Sequence, residues 1–256
     1  MTKTKIEWAT DVWNPTVGCT KVSSGCKNCY AERMFNRFHP DEKFSDVRCY
    51  PERLNQPLHW KKPRRIFVDS MSDLFHKNVP DDFIREVFLR MQMSVHTFMI
   101  LTKRPIRMFK WLIRDKNPPI LPNVWLGVSV ENQATADYRI PLLLQIPAAL
   151  RFVSVEPMLG PIVESLSRWY SNDSFDPNGS QKVINRAHWP FPKIDWVICG
   201  CESGPYKRPM DLDWARSLRD QCQMAGVPFF LKQAVINGKL VKMPELDGKV
   251  WDEIPT

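Results

Sequence analysis

From residue 65 onward, short apolar runs rich in β-branched and aromatic residues recur: Arg65 to Asp69 (RIFVD), Thr97 to Leu101 (TFMIL), Val124 to Val130 (VWLGVSV), Leu150 to Val155 (LRFVSV), Asp195 to Cys199 (DWVIC) and Val227 to Leu231 (VPFFL). Each is of strand length, and most are followed by a helical pattern. Such alternation predicts a parallel sheet, because parallel neighbours need a crossover that a helix usually supplies. The 256 residues suffice for one α/β domain or a (β/α) barrel, so residues 1–256 are expected to form a single unit.

The intervening helices carry their own signals. CYAERMFNRF reads as a short helix that starts at Cys29. Asp81 or Asp82 is expected to cap a helix whose Phe83, Val87 and Met91 share one side with Ile84 and Phe88. Pro105 suits a first helical turn leading to Phe109 and Leu112. Asp213 precedes a helix through Trp214, Leu218 and Cys222 that Gly226 closes. Residues 165–192 break the rhythm and read as an insertion, either a lid or a variable loop. The closing MPELDGKVWDEIP reads as a polar tail with a tight turn at Asp247 and Gly248.

Polar residues follow every run. Asp69, Ser70, Ser72 and Asp73 come after the first, Thr102, Lys103 and Arg104 after the second, Ser129, Glu131 and Asn132 after the third. Glu156, then Glu202 with Ser203, then Lys232 with Gln233, follow the others. In a parallel barrel these ends converge where substrates bind. Helix capping accounts for Asp73 and part of Asn132, but less readily for Glu156, which a proline follows directly.

Upstream, Cys19, Cys26 and Cys29 form a C-x6-C-x2-C arrangement. Three thiols in one short segment point to a metal, because the C-x2-C pair turns two sulfurs toward one centre and the loop can wrap a third around it. Three protein ligands leave one position open, for water or a fourth side chain on zinc, or for a ligand on one iron of a [4Fe-4S] cluster. Both metals accept thiolate, and His39, His59 or His76 could complete a zinc tetrahedron. Seven cysteines cannot all pair, and the start MTKTKIEWAT lacks a secretory pattern, so reduced thiols in a cytoplasmic protein are expected rather than disulfides. Cys199, Cys201 and Cys222 read as core residues, and no apolar stretch approaches a membrane span.

Thirty-six Lys and Arg against 28 Asp and Glu leave a net charge of +8. The cations cluster at Lys61, Lys62, Arg64 and Arg65, at Lys103, Arg104, Arg107, Lys110, Arg114 and Lys116, and at Lys207 and Arg208. A polyanionic partner fits this pattern, as does an ordinary solvated face.

The blocks IEWATDVWNPTVGCTKVSSGCKNCYAE, SMSDLF, LTKRP, GVSVEN, SVEPMLGP, CGCESG and PELDGKVWDEIP together resemble the phage-encoded three-cysteine-motif proteins, a family similar to radical S-adenosylmethionine enzymes. The resemblance implies a partial or full (β/α) barrel of the radical S-adenosylmethionine type, with mostly parallel strands. It further implies a [4Fe-4S] cluster on Cys19, Cys26 and Cys29, and S-adenosyl-L-methionine bound at the open iron. One electron from a donor protein or reductant would cleave the cofactor to a 5′-deoxyadenosyl radical, which abstracts hydrogen from substrate. Ser129 and Glu131 become candidate cofactor contacts, and Ser70 and Asp73 occupy the region of the amino contact. The six-residue gap between the first two cysteines and the lack of a Gly-Gly-Glu segment depart from the common radical motif.

Three functions are compatible with these residues. The leading one is a radical enzyme that repairs or modifies a nucleic-acid base, with Glu156 and Glu202 at the substrate and Lys103, Arg104 and Arg107 on the phosphates. The others are a metal-stabilised nucleic-acid-binding protein without catalysis, and a radical enzyme acting on a small molecule or peptide. Oligomeric state and substrate identity are not legible in the residues.

Overall fold

The computed structural model describes residues 4, 6–114, 120–163 and 193–255. The insertion at 165–192 and Lys116 lie outside the described residues. The sheet consists of β1 (Asp11–Trp13), β2 (Arg65–Val68), β3 (Thr97–Thr102), β4 (Val124–Val130), β5 (Leu150–Val155), β6 (Trp196–Gly200), β7 (Phe229–Ile236) and β8 (Lys239–Lys242). They hydrogen-bond in chain order, parallel from β1 to β7, and β8 returns antiparallel beside β7. The helices are α1 (Tyr30–Phe38), α2 (Asp81–Gln92), α3 (Pro105–Phe109), α4 (Gln133–Leu144) and α5 (Leu212–Ala225). The fold is α/β, a mostly parallel, curled half-barrel.

All six expected strands form, and two more join them. β1 is three residues long, too short for a period-2 signal, and β8 is exposed throughout, so neither stands out as an apolar run. The last expected strand begins at Phe229 rather than Val227 and continues to Ile236. The tail is not merely polar: Glu245–Leu246 pairs with Lys249–Val250 across Asp247 and Gly248, whose φ values of 56° and 78° suit a tight two-residue turn. Trp251 beyond it packs on Phe229, ring centres 6.2 Å apart. Asp211, not Asp213, caps α5 by accepting from the Asp213 N–H, while Gly226 closes it in the left-handed conformation. Pro80 precedes α2 without a side-chain cap, and Asp81 and Asp82 sit in the first turn, where the helix dipole favours negative charge.

Period-2 alternation sorts the strands into two faces. Ile66, Val68, Phe98, Ile100, Leu126, Val128, Val153, Val155, Val197 and Cys199 belong to the core that holds the buried sides of α2, α4 and α5. Cys222 is buried there too, as its place on a helix face implies. The opposite face carries Phe67, Met99, Phe152, Trp196, Ile198 and Phe230, joined by Trp8 from the segment before β1. Gly127 makes room for this layer, since a Cβ there would fall 2.5 Å from the Phe152 ring.

The curl follows from Trp8. Its ring centre is 4.8 Å from Phe67 on β2 and 6.3 Å from Trp196 on β6. In a flat sheet those strands would be about 19 Å apart, four spacings of about 4.8 Å. One indole touching both therefore requires a concave face, and Lys242 of β8 completes the approach by pairing with Glu7 beside β1.

Candidate functional site

The aromatic layer floors the concave side. One step toward the strand C-termini lie small residues, Ser129 opposite Ser154 across β4 and β5 and Gly200 on β6. Above these stand the charged residues that end the strands. The result is a cavity of about 470 Å³, walled by Phe67, Leu101, Ser129, Ser154, Glu156 and Lys232 among others.

The cysteine loop forms the roof. After β1 the chain pairs Thr16–Val17 with Arg48–Cys49, then turns at Gly18, whose φ of +98° and two carbonyls 2.8 Å from any Cβ require glycine. Cys19 follows, held by its N–H donating to the Phe44 carbonyl at 2.8 Å. Cys26 ends a 3-10 turn, Ser24–Cys26, and Cys29 is the N-cap of α1, which starts one residue after the expected start at Cys29. All three thiols border the cavity. Among the described residues no three His, Cys, Asp or Glu side chains are grouped to hold a single metal ion.

Three fastenings hold this roof. The Glu131 Oε1 accepts from Ser23 at 2.8 Å and from buried Arg139 at 3.1 Å, and a Cβ on Gly25 would lie 2.5 Å from it. Glu202 accepts from Asn28 at 2.8 Å and from Arg208, whose other N–H groups reach the Ser24 carbonyl at 2.9 Å. Burial opposes ionisation of Glu202, but the Arg208 and Asn28 hydrogen bonds outweigh it and bring its pKa down to about 2. Asp73 takes hydrogen bonds from Thr102, the Lys103 N–H and Arg104, and Arg104 in turn donates to the Cys19 sulfur at 3.4 Å and the Thr20 carbonyl at 2.7 Å. Burial pushes the Cys19 thiol up to about 11, with Arg104 pulling the other way.

Several expected site residues have partners of their own. Glu131 lies under the cysteine loop, Glu202 holds the loop at Asn28, and Asp73 holds Arg104. His76 bonds Thr20 and accepts from the Asn78 N–H, while His39 pairs with Glu42 and stacks on Phe35. Those two histidines already have partners. Arg107 does not face outward for phosphate, since it donates to the carbonyls of His76 and Val79 and to Asp81. Arg104 is likewise occupied, and Lys103 points into the cavity region, 3.9 Å from Glu131. The three cations thus do not form one open patch, because each found a local acceptor that residue counting cannot see.

Asp73, Ser129, Glu156 and Glu202 all border the cavity, and so does Ser70, whose hydroxyl donates to Asn14 at 3.1 Å. Glu156 accepts from Ser154 at 3.1 Å, and the Lys232 ammonium stands 2.9 Å from its Oε1 without hydrogen-bond alignment. The sequence marks Lys232 as a strand-end residue, and the sheet brings it to Glu156. Asp69 is marked likewise, yet it stands out: it is 4% exposed, borders the cavity, and its Oδ2 has no partner among the described residues. Burial raises its pKa to about 8.

No curated protein matches the chain. A solved structure of a spore photoproduct lyase mutant is similar over 87% of this chain and 74% of its own, with 12% identity and a TM-score of 0.48. A family model described as "Protein of unknown function (DUF5131)" matches residues 3–255. Matched across nearly its whole length, the chain belongs to that family.

Proposed function

We propose that this protein is an iron–sulfur enzyme of the radical S-adenosylmethionine type that acts on nucleic acid, repairing or modifying a base. The observation that carries the reading is the convergence of Cys19, Cys26 and Cys29 on one cavity above the C-terminal ends of parallel strands. Three thiols on one cavity fit a cubane cluster with one iron left open, and His39 and His76, which could complete a zinc tetrahedron, already have partners. When bound, such a cluster with S-adenosylmethionine supplies a carbon radical after one-electron reduction by an external donor.

The chain's own residues do the rest. The three cysteines hold the cluster, and the Arg104 guanidinium beside Cys19 favours the thiolate that metal binding requires. Ser129 and Ser70 offer hydroxyls to the cofactor. Phe67, Leu101 and Trp8 keep water from the floor of the cavity, which protects a reactive centre. Glu156, with its Lys232 partner, lines the cavity wall and serves the substrate. The net charge of +8 supports a polyanionic substrate.

Anaerobic reconstitution should load about four irons per chain, and Cys19→Ala, Cys26→Ala or Cys29→Ala should each abolish loading, whereas Cys222→Ala should not. The reduced protein should bind S-adenosylmethionine by calorimetry and slowly release 5′-deoxyadenosine. Stoichiometric zinc without iron in anaerobically purified protein overturns the cluster, and a loaded protein that neither binds nor cleaves the cofactor overturns the chemistry.

A further inference from the structure

The exposed side of α1 is unlike an ordinary solvated helix face. Ala31 and Phe35 turn inward, while Tyr30, Arg33, Met34, Arg37 and Phe38 follow one another at i, i+3, i+4, i+7 and i+8 on the outside. Phe38 is 68% exposed and Met34 46%. Tyr30, Arg33 and Met34 also border the cavity, so the stripe runs from its mouth outward for about 12 Å.

A second element continues it. The loop 203–208 is tied to the cysteine loop by Asn28, which donates to the Tyr206 carbonyl at 2.7 Å, and the Arg33 guanidinium lies against Gly204. Tyr206 is 82% exposed there. Among the described residues no carboxylate pairs with Arg33, Arg37 or Lys207; Glu32, the acid on α1, is turned to Lys21 at 3.0 Å. Cations without acidic partners, interleaved with exposed aromatic rings, match a ligand that offers phosphates and flat bases together.

Resting on the nucleic-acid reading above, we infer that α1 and the loop 203–208 are the landing surface for a single-stranded nucleic acid. Arg33, Arg37 and Lys207 take its phosphates, Phe38 and Tyr206 stack its bases, and the strand is led to the cavity mouth. The basic cluster at residues 103–107 plays no part.

The test is fluorescence anisotropy with a labelled oligonucleotide of about a dozen nucleotides, its duplex, and anionic vesicles, over a range of salt. The single strand should bind best. Replacing Arg33, Arg37 and Lys207 together by Gln should lower the slope of log affinity against log salt by about 2. Phe38→Ala and Tyr206→Ala should each weaken binding about tenfold with the slope unchanged. Iron content should stay at the wild-type level in all. If the wild type binds the strand and these variants bind equally well, the surface is wrong and the enzyme reading stands. If no oligonucleotide binds at low salt, or only vesicles do, both the surface and the nucleic-acid target are wrong, while cofactor cleavage still reports on the radical chemistry.

Discussion

Asp69 ends β2 in the left-handed region, φ 58°, with one carboxylate oxygen accepting from the Thr16 N–H at 3.0 Å and the other unpartnered in the cavity wall. Burial is the main cause of its raised pKa, about 8 against an ordinary 3.8. Between those values the unfolded chain has lost the proton that the folded chain keeps, so stability falls as pH rises from about 4 to about 8. Asn tolerates left-handed backbone and keeps an oxygen for Thr16. Thermal melts of Asp69→Asn should therefore be flatter over this window than those of the wild type, with the variant more stable at pH 8. A wild-type melting temperature that rises steadily over the same range would contradict the burial of this carboxyl. Glu202 titrates in the opposite sense: its lowered pKa contributes stability above about 4.5 that is lost as pH falls toward 2.

The cysteine loop shows how much of an element its own residues specify. The spacing of Cys19, Cys26 and Cys29 and the start of α1 at Tyr30 are legible locally, because they depend on reach and helix signals within a few residues. The fastenings are not, because Ser23 and Glu131 lie 108 positions apart, Asn28 and Glu202 174, and Ser24 and Arg208 184. Only the curl of the sheet brings them together, so their hold on the cysteine loop cannot be seen in the strand-end pattern that suggests cofactor and substrate contacts. Replacing Glu131 by Gln leaves the Arg139 guanidinium buried without its counter-charge, a change that typically costs about 3 kcal/mol. Denaturant titration should show that loss, and amide exchange across residues 19–29 should quicken. Glu202→Gln should free the loop at Asn28 with a smaller global effect, since its partner Arg208 is more exposed than Arg139. If exchange in the loop is unchanged in both variants, these carboxylates are not what hold the roof.

At the scale of the whole molecule, the strand-and-helix rhythm was enough to anticipate the parallel sheet, since each of its inner strands is buried on both faces and reads as an apolar run. The two edges were not legible: β1 is short, β8 is exposed, and the contact that makes the sheet concave comes from outside any strand. Trp8 is 2% exposed and wedged between β2 and β6, so it acts as a plug that both strands need in order to face one another. Trp8→Ala should lower stability by about 3 to 5 kcal/mol, the usual range for deleting a buried large aromatic. Trp8→Phe should cost less, because a ring remains against Phe67 and the indole N–H it removes has no partner among the described residues. The loss should be concentrated where the curl is made, so exchange should rise first in β1 and β8, the strands joined through Glu7 and Lys242, before it rises in β4 and β5. An unchanged denaturation midpoint for Trp8→Ala would mean that strand twist and the helices alone impose the concave shape, and that the cavity beneath Cys19, Cys26 and Cys29 does not depend on the segment that precedes the first strand.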